Sequence, residues 1–231
     1  MTERIEFTSH DGRFDALVYR PAALPAPGVL IIPEVFGRSV QLRGMAAEFV
    51  GAGFLVGVLD IHWRLEAEVA LEPHEVERAR SLHQRLDYEL AIADIATAIA
   101  RFRREPACTG KVAVVGFCLG GTLAWRIAAR TTADAAVSYY GTRIPKYIDE
   151  APNSPLLLHL GEADHFTPPD VIALIEKTIK GRADVARFRY PGAGHAFCNP
   201  AQEGFKPDAA ALAHRRSMDF LHRHLSSQQQ L

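Results

Sequence analysis

Residues 111–121 read Lys-Val-Ala-Val-Val-Gly-Phe-Cys-Leu-Gly-Gly. Val112 to Val115 is a short apolar run rich in β-branched residues, which suits a strand buried on both faces. Gly116, Gly120 and Gly121 follow at close spacing, and Leu123 to Ala129 reads as an apolar, alanine-rich helix. The stretch is therefore a strand, a sharp turn and a helix with Cys118 at the apex. This is the layout of a G-x-S-x-G elbow with cysteine in the serine position. The small residues have a physical role, because strand and helix approach closely only where no Cβ intervenes. An isolated G-x-C-x-G is equally a place for a small buried hydrophobe, so the rest of the chain has to decide.

The chain has 231 residues, 48% hydrophobic and 23% charged, with a formal net charge of −1. That is the size and composition of one globular domain over 1–231, with a frayed tail from Ser226 onward. No single-sign charge run suggests nucleic acid or a membrane surface as partner. Residues 1–13 lack the apolar core of a signal peptide, and no apolar stretch is long enough for a membrane span. Cys108, Cys118 and Cys198 form no C-x-x-C pair, so free thiols in a cytoplasmic protein are expected.

Asp11-Gly12 between Ile5–Phe7 and Phe14–Tyr19 signals an N-terminal hairpin. From residue 28 onward strands alternate with helices, which argues for a mostly parallel α/β sheet with helices on both faces. Strands are expected at 28–32, 54–59, 111–116, 135–140, 155–161 and 185–190. Helices are expected from Ser39, which is placed to cap, and over 208–225. Residues 73–104 hold one long helix or two. Thr167 is expected to cap a further helix with Pro168 as its first residue. In such sheets chemistry gathers beyond the carboxyl ends of the strands. The loops to inspect are 33–37, 60–64, 116–120, 139–143, 161–167 and 191–199.

Loop 161–167 carries Asp164, and loop 191–199 carries His195 among Gly192, Ala193 and Gly194. Glu162 and His165 fit less well as carboxylate and imidazole. Cys118, Asp164 and His195 each follow a predicted strand, in the chain order nucleophile, acid, histidine of the α/β-hydrolases. The residue types suit the chemistry. A thiol becomes a strong nucleophile on losing its proton, His195 can take that proton, and Asp164 can orient the imidazole. N–H groups at the start of the following helix can hold an oxyanion. No dinucleotide, P-loop or zinc pattern is present, so neither cofactor nor metal is expected. His159 reads as a core histidine, and His62, His74 and His83 as surface residues.

The chain resembles the dienelactone hydrolases, also called carboxymethylenebutenolidases. The matching pieces are Pro33–Gly37, Asp60, Gly116–Gly121, Tyr139–Gly141, Gly161–Phe166 and Gly192–Phe197. The resemblance implies an α/β-hydrolase fold and a cysteine-dependent hydrolase of small esters or lactones. The expected partner is a small-molecule substrate, and a monomer and a small homo-oligomer both stay open. It implies Cys118, Asp164 and His195 as nucleophile, acid and base. It also implies Glu34 as a glutamate that pairs with the resting thiol, and the N–H groups of Val35 and Leu119 as the oxyanion hole. Characterised members bind a substrate carboxylate with two arginines. Asn199 stands at one of those positions, and Arg78 or Arg80 matches the other. Tyr139, Tyr140 and Phe197, with loop 60–85, are expected to wall the pocket.

Two other readings use the same residues. One is a thiol sensor or a ligand-binding protein without catalysis, with Cys198 as the candidate resolving cysteine. The other is thioester or C–C bond hydrolysis on the same triad.

Overall fold

The β-branched runs become strands of one sheet in the computed structural model, which describes residues 3–226. The expected frayed tail lies outside the described residues except for Ser226. The strands are β1 (Glu3–Thr8), β2 (Arg13–Tyr19), β3 (Ala26–Ile32), β4 (Leu55–Leu59), β5 (Cys108–Phe117), β6 (Ala135–Tyr139), β7 (Leu156–Gly161) and β8 (Val185–Tyr190). The helices are α1 (Val40–Gly51), α2 (Val76–Arg85), α3 (Tyr88–Phe102), α4 (Leu119–Arg130), α5 (Pro169–Thr178) and α6 (Pro207–Leu225). Strand order is β1-β2-β4-β3-β5-β6-β7-β8. β1 and β2 form the antiparallel hairpin, β2 runs antiparallel to β4, and the remaining pairs are parallel.

The central strands are apolar throughout because both faces are covered. Along β5, Val112 and Val114 point into one core, with α3, α4 and α5. Ala113, Val115 and Phe117 point into the other, with α1 and α6. α2 stands apart from both. It buries Ala79 and Leu82 against Val69 and Leu71, with Val35 and Phe36 packed alongside. This small cluster sets α2 beside the loop that follows β3.

Three local features refine the sequence expectations. Residues 73–104 form two helices, because Leu86 is extended and the Asp87 carboxylate accepts the N–H groups of Glu89 and Leu90 as a new N-cap. The helix near residue 168 starts one residue later than expected. Pro168 is its N-cap, Pro169 its first residue, and Thr167 makes no capping bond. Ser39 caps α1, accepting the Leu42 N–H at 3.2 Å.

The chain passes from β3 to β4 on one side and then to β5 on the other. Such a reversal opens a crevice at the strand ends. Among the described residues no helix is long and apolar enough to cross a membrane.

Candidate active site

Cys118 follows β5 directly and occupies the cap position of α4, with φ 55° and ψ −113°. A non-glycine residue in this region is strained, and the surroundings have to hold it there. Its N–H donates to the Tyr139 carbonyl at 3.0 Å. A Cβ on Gly116 would lie 1.8 Å from the Gly120 carbonyl oxygen, and one on Gly120 would lie 2.3 Å from that of Ile32. The elbow is thus built by glycine contacts between β5, α4 and the end of β3. Its sulfur lies almost buried at the floor of a cleft.

The loops after β7 and β8 are tied together, since the Ala163 N–H donates to the Ala193 carbonyl at 2.9 Å. This brings Asp164 beneath His195. The Asp164 Oδ1 accepts the Phe166 N–H at 2.8 Å, and its Oδ2 pairs with His195 Nδ1 at 2.9 Å. Nε2 of the same ring lies 3.2 Å from the Cys118 sulfur. With Nδ1 donating to the carboxylate, Nε2 is free to accept the thiol proton. Burial disfavours a charged His195 ring, but Asp164 and the Cys118 sulfur outweigh it and raise the imidazole above its ordinary range. Tyr140 and Phe166 meet the ring edge-on, with centroids at 5.3 and 4.7 Å.

Glu34 is buried, and burial raises its carboxyl to about 7 against the opposing pull of His195 and Asn199. Its Oε1 accepts from Asn199 Nδ2 at 2.6 Å. The resting thiol therefore contacts His195, and Glu34 is engaged by Asn199. This differs from the pairing that the resemblance implies. Among the described residues the Val35 N–H has no backbone partner. Leu119 is the first residue of α4, where a helix leaves N–H groups unpaired.

The cleft has a volume of about 430 Å³. Its floor is Cys118, Glu34, Val35 and His195, and its rim includes Phe36, Val76 and Phe166. Arg80, His83 and Arg143 also line it. Several expected wall residues lie elsewhere. Arg78 is exposed and held by Glu66 and Glu75. Tyr139 is fully buried, and its hydroxyl is 2.7 Å from Ser217 on α6. Phe197 packs beneath Tyr140 and Tyr190, and Asn199 reaches Glu34 from behind. Residues 60–64 also lie away from the cleft. The Asp60 carboxylate instead accepts the N–H groups of His62 and Glu68 and closes its own loop.

His62 is 1% exposed, which corrects its reading as a surface residue, and burial pushes it down to about 4. His83 is half-buried on the cleft wall, whereas His74 is exposed as expected. His159 is a satisfied core histidine, bonded to Tyr190 and Ser217 at 2.8 Å each. Cys198 lines a separate groove between α1 and α6, with Met45, Glu48 and His214. Arg143 lines the cleft without a local sequence signal, because an arginine in a polar loop reads as solvated. Its place in a loop at a strand end was the available signal.

The chain matches the model of the dienelactone hydrolase family over residues 14–225. It is 37% identical to a carboxymethylenebutenolidase of Pseudomonas putida over 227 residues, 96% of each chain. It is 33% identical to carboxymethylenebutenolidase 1 of Cupriavidus pinatubonensis, over 96% of this chain and 97% of the other. Its fold superposes on a dienelactone hydrolase-like promiscuous phosphotriesterase from metagenomic libraries with a TM-score of 0.80. That match is 19% identical and covers 98% of this chain and 99% of the other. With a family model matched over nearly its whole length and relatives above 30% identity, the chain belongs to the dienelactone hydrolase family.

Proposed function

We propose that the protein hydrolyses small carboxylic esters or lactones through an acyl-enzyme on Cys118. The observation that carries this reading is the relay from the Cys118 sulfur to His195 at 3.2 Å and from His195 to Asp164 at 2.9 Å, at the floor of the cleft. Membership of the family and the carboxymethylenebutenolidase relatives support the reaction class.

His195 Nε2 takes the thiol proton as the sulfur attacks the substrate carbonyl. The carbonyl oxygen becomes an oxyanion, held by the N–H groups of Val35 and Leu119. The C–O bond then breaks, and the leaving oxygen takes the proton from His195. A water molecule, deprotonated by His195, attacks the thioester and frees the acid and the thiol. Asp164 keeps Nδ1 protonated throughout, so that Nε2 is the basic nitrogen. Glu34 stands beside this path as a carboxyl that changes ionisation near neutral pH. We read the whole chain as one catalytic domain that needs no cofactor for these steps. Three free buried cysteines fit a reducing cytoplasm.

Cys118→Ala and His195→Ala variants, assayed on aryl esters and small lactones, test the assignment. Each is expected to lose about 10³-fold or more in kcat, and the double variant little more than either alone. Turnover unchanged in both would overturn it.

A further inference from the structure

Five large apolar side chains are exposed among the described residues, and two of them, Phe166 at 48% and Val76 at 46%, stand on the rim of the cleft. The other three, Leu24, Val40 and Leu174, do not line it. Apolar side chains scattered over a surface need no explanation, but apolar side chains gathered at the mouth of a pocket mark a ligand contact. The two come from separate elements. Val76 opens α2, and Phe166 follows β7, two residues after Asp164. The Phe166 N–H donates to Asp164 Oδ1 at 2.8 Å, so the backbone that carries the ring is tied to the carboxylate that orients His195.

Which part of the substrate meets this rim follows from the path of the proton. The carbonyl carbon sits at the Cys118 sulfur, with its oxygen toward the N–H groups of Val35 and Leu119. The remaining ester oxygen then has to face His195 Nε2, because that nitrogen protonates it as the C–O bond breaks. The alcohol therefore leaves on the His195 side. Two rings meet His195 edge-on. Tyr140 is fully buried and out of a ligand's reach. Phe166, its centroid 4.7 Å from that of His195, opens into the cleft. It offers apolar surface to the departing alcohol, and an aryl group there would cover what is now exposed.

We infer that Phe166, with Val76 on the same rim, is the specificity-determining contact for the leaving alcohol, and that the site favours esters of apolar, arylalkyl alcohols. The inference rests on the reading of Cys118 as the nucleophile, because that reading fixes which ester oxygen faces His195. As the S–C bond forms, the thiol proton passes to Nε2. As the C–O bond breaks, the same proton goes to the alkoxide oxygen, and the free alcohol departs past Phe166. The acyl group stays on sulfur, so the contact governs acylation and not the hydrolysis of the acyl-enzyme.

The test compares benzyl acetate with methoxyethyl acetate, which share an acyl group and release alcohols of similar basicity. Phe166→Ala is expected to lower the benzyl-to-methoxyethyl ratio of kcat/KM about 10-fold, the range for losing an aromatic contact and its burial. Phe166→Leu restores most of the ratio, and Val76→Ser, at an exposed position, lowers it about 3-fold. The ratio of ethyl hexanoate to ethyl acetate, which varies the acyl side alone, shifts by less than about 2-fold. An unchanged benzyl ratio in Phe166→Ala overturns the inference, since a ring that only positions His195 would slow every ester alike. An acyl-side shift as large as the benzyl shift overturns it too. A binding measurement separates the inference from the hydrolase reading. Benzylacetone, in which a methylene replaces the ester oxygen of benzyl acetate, is titrated into Cys118→Ala and followed by NMR. Adding Phe166→Ala is expected to weaken its binding about 10-fold. Absent or unchanged binding overturns the inference. Weakened binding, in a protein whose wild type turns over no ester, supports the rim contact and counts against the hydrolase reading instead.

Discussion

A carboxyl enclosed as Glu34 is titrates differently in the folded and unfolded chain, and the sign of the effect follows from the direction of its shift. Its ordinary value is 4.5, and enclosure raises it to about 7. Below pH 4.5 both states hold the proton and the group costs nothing. Between 4.5 and 7 the unfolded chain loses the proton while the folded chain keeps it, so stability falls as pH rises. Above 7 the cost is constant, at about 3 kcal/mol for a shift of this size. Glu34→Gln keeps the Asn199 contact and cannot ionise. Relative to wild type it is expected to gain up to about 3 kcal/mol between pH 4.5 and pH 8, read by urea unfolding at the two pH values. A difference between the two proteins that stays constant with pH would contradict the assignment. At this scale the sequence was informative where a residue type and a strand end coincided, as for Cys118, Asp164 and His195. It was silent on Asn199 as the partner of Glu34, because a contact 165 residues away leaves no local pattern. It misled at His62, because only the folded chain buries that ring.

The elbow is the element on which the site depends. α4 begins at Leu119, four residues before the apolar run that suggested a helix, because Gly120 and Gly121 form its first turn. Glycine is a poor helix former, so local propensity argued against what close packing imposes. Every residue from Leu119 to Ala129 is buried, which explains the apolar, alanine-rich composition. Gly120→Ala places a Cβ 2.3 Å from the Ile32 carbonyl oxygen and 2.8 Å from that of Pro33, both backbone atoms that cannot move aside cheaply. The expected cost is about 3 kcal/mol or more, or roughly 6–12 °C in Tm for a chain of this size. Gly44→Ala is the control, because its Cβ meets nothing within 4 Å. Equal melting temperatures for the two variants would contradict the packing argument. The break between α2 and α3 was only half legible. Asp87 is a good cap by type, but whether the chain uses it depends on α2 leaving the main core to pack beside Val35 and Phe36.

At the scale of the whole molecule, the site is an assembly of strand ends. Glu34 and Val35 follow β3, Cys118 follows β5, Tyr140 follows β6, Asp164 follows β7 and His195 follows β8. The parallel class of the sheet was legible, because apolar β-branched runs alternate with helical ones. The strand order was not, since a crossover leaves no mark on the strands it joins. Yet that order opens the crevice between β3 and β5 and brings together side chains 77 residues apart in sequence, Cys118 and His195. The shape of the cleft was equally hidden, because α2 and the loop carrying Arg143 reach it only through tertiary packing. The fold also distinguishes three thiols that the sequence presents alike. Cys108 and Cys198 are held above the ordinary thiol range by burial. Cys118 alone pairs with a histidine ring. The most direct test of the central claim is therefore the mass of the chain, quenched in acid during turnover of an aryl acetate and mapped by peptide. The account predicts one acetyl group, on Cys118, that is absent from Cys118→Ala. Turnover with no covalent adduct, or with the adduct on another residue, would contradict it.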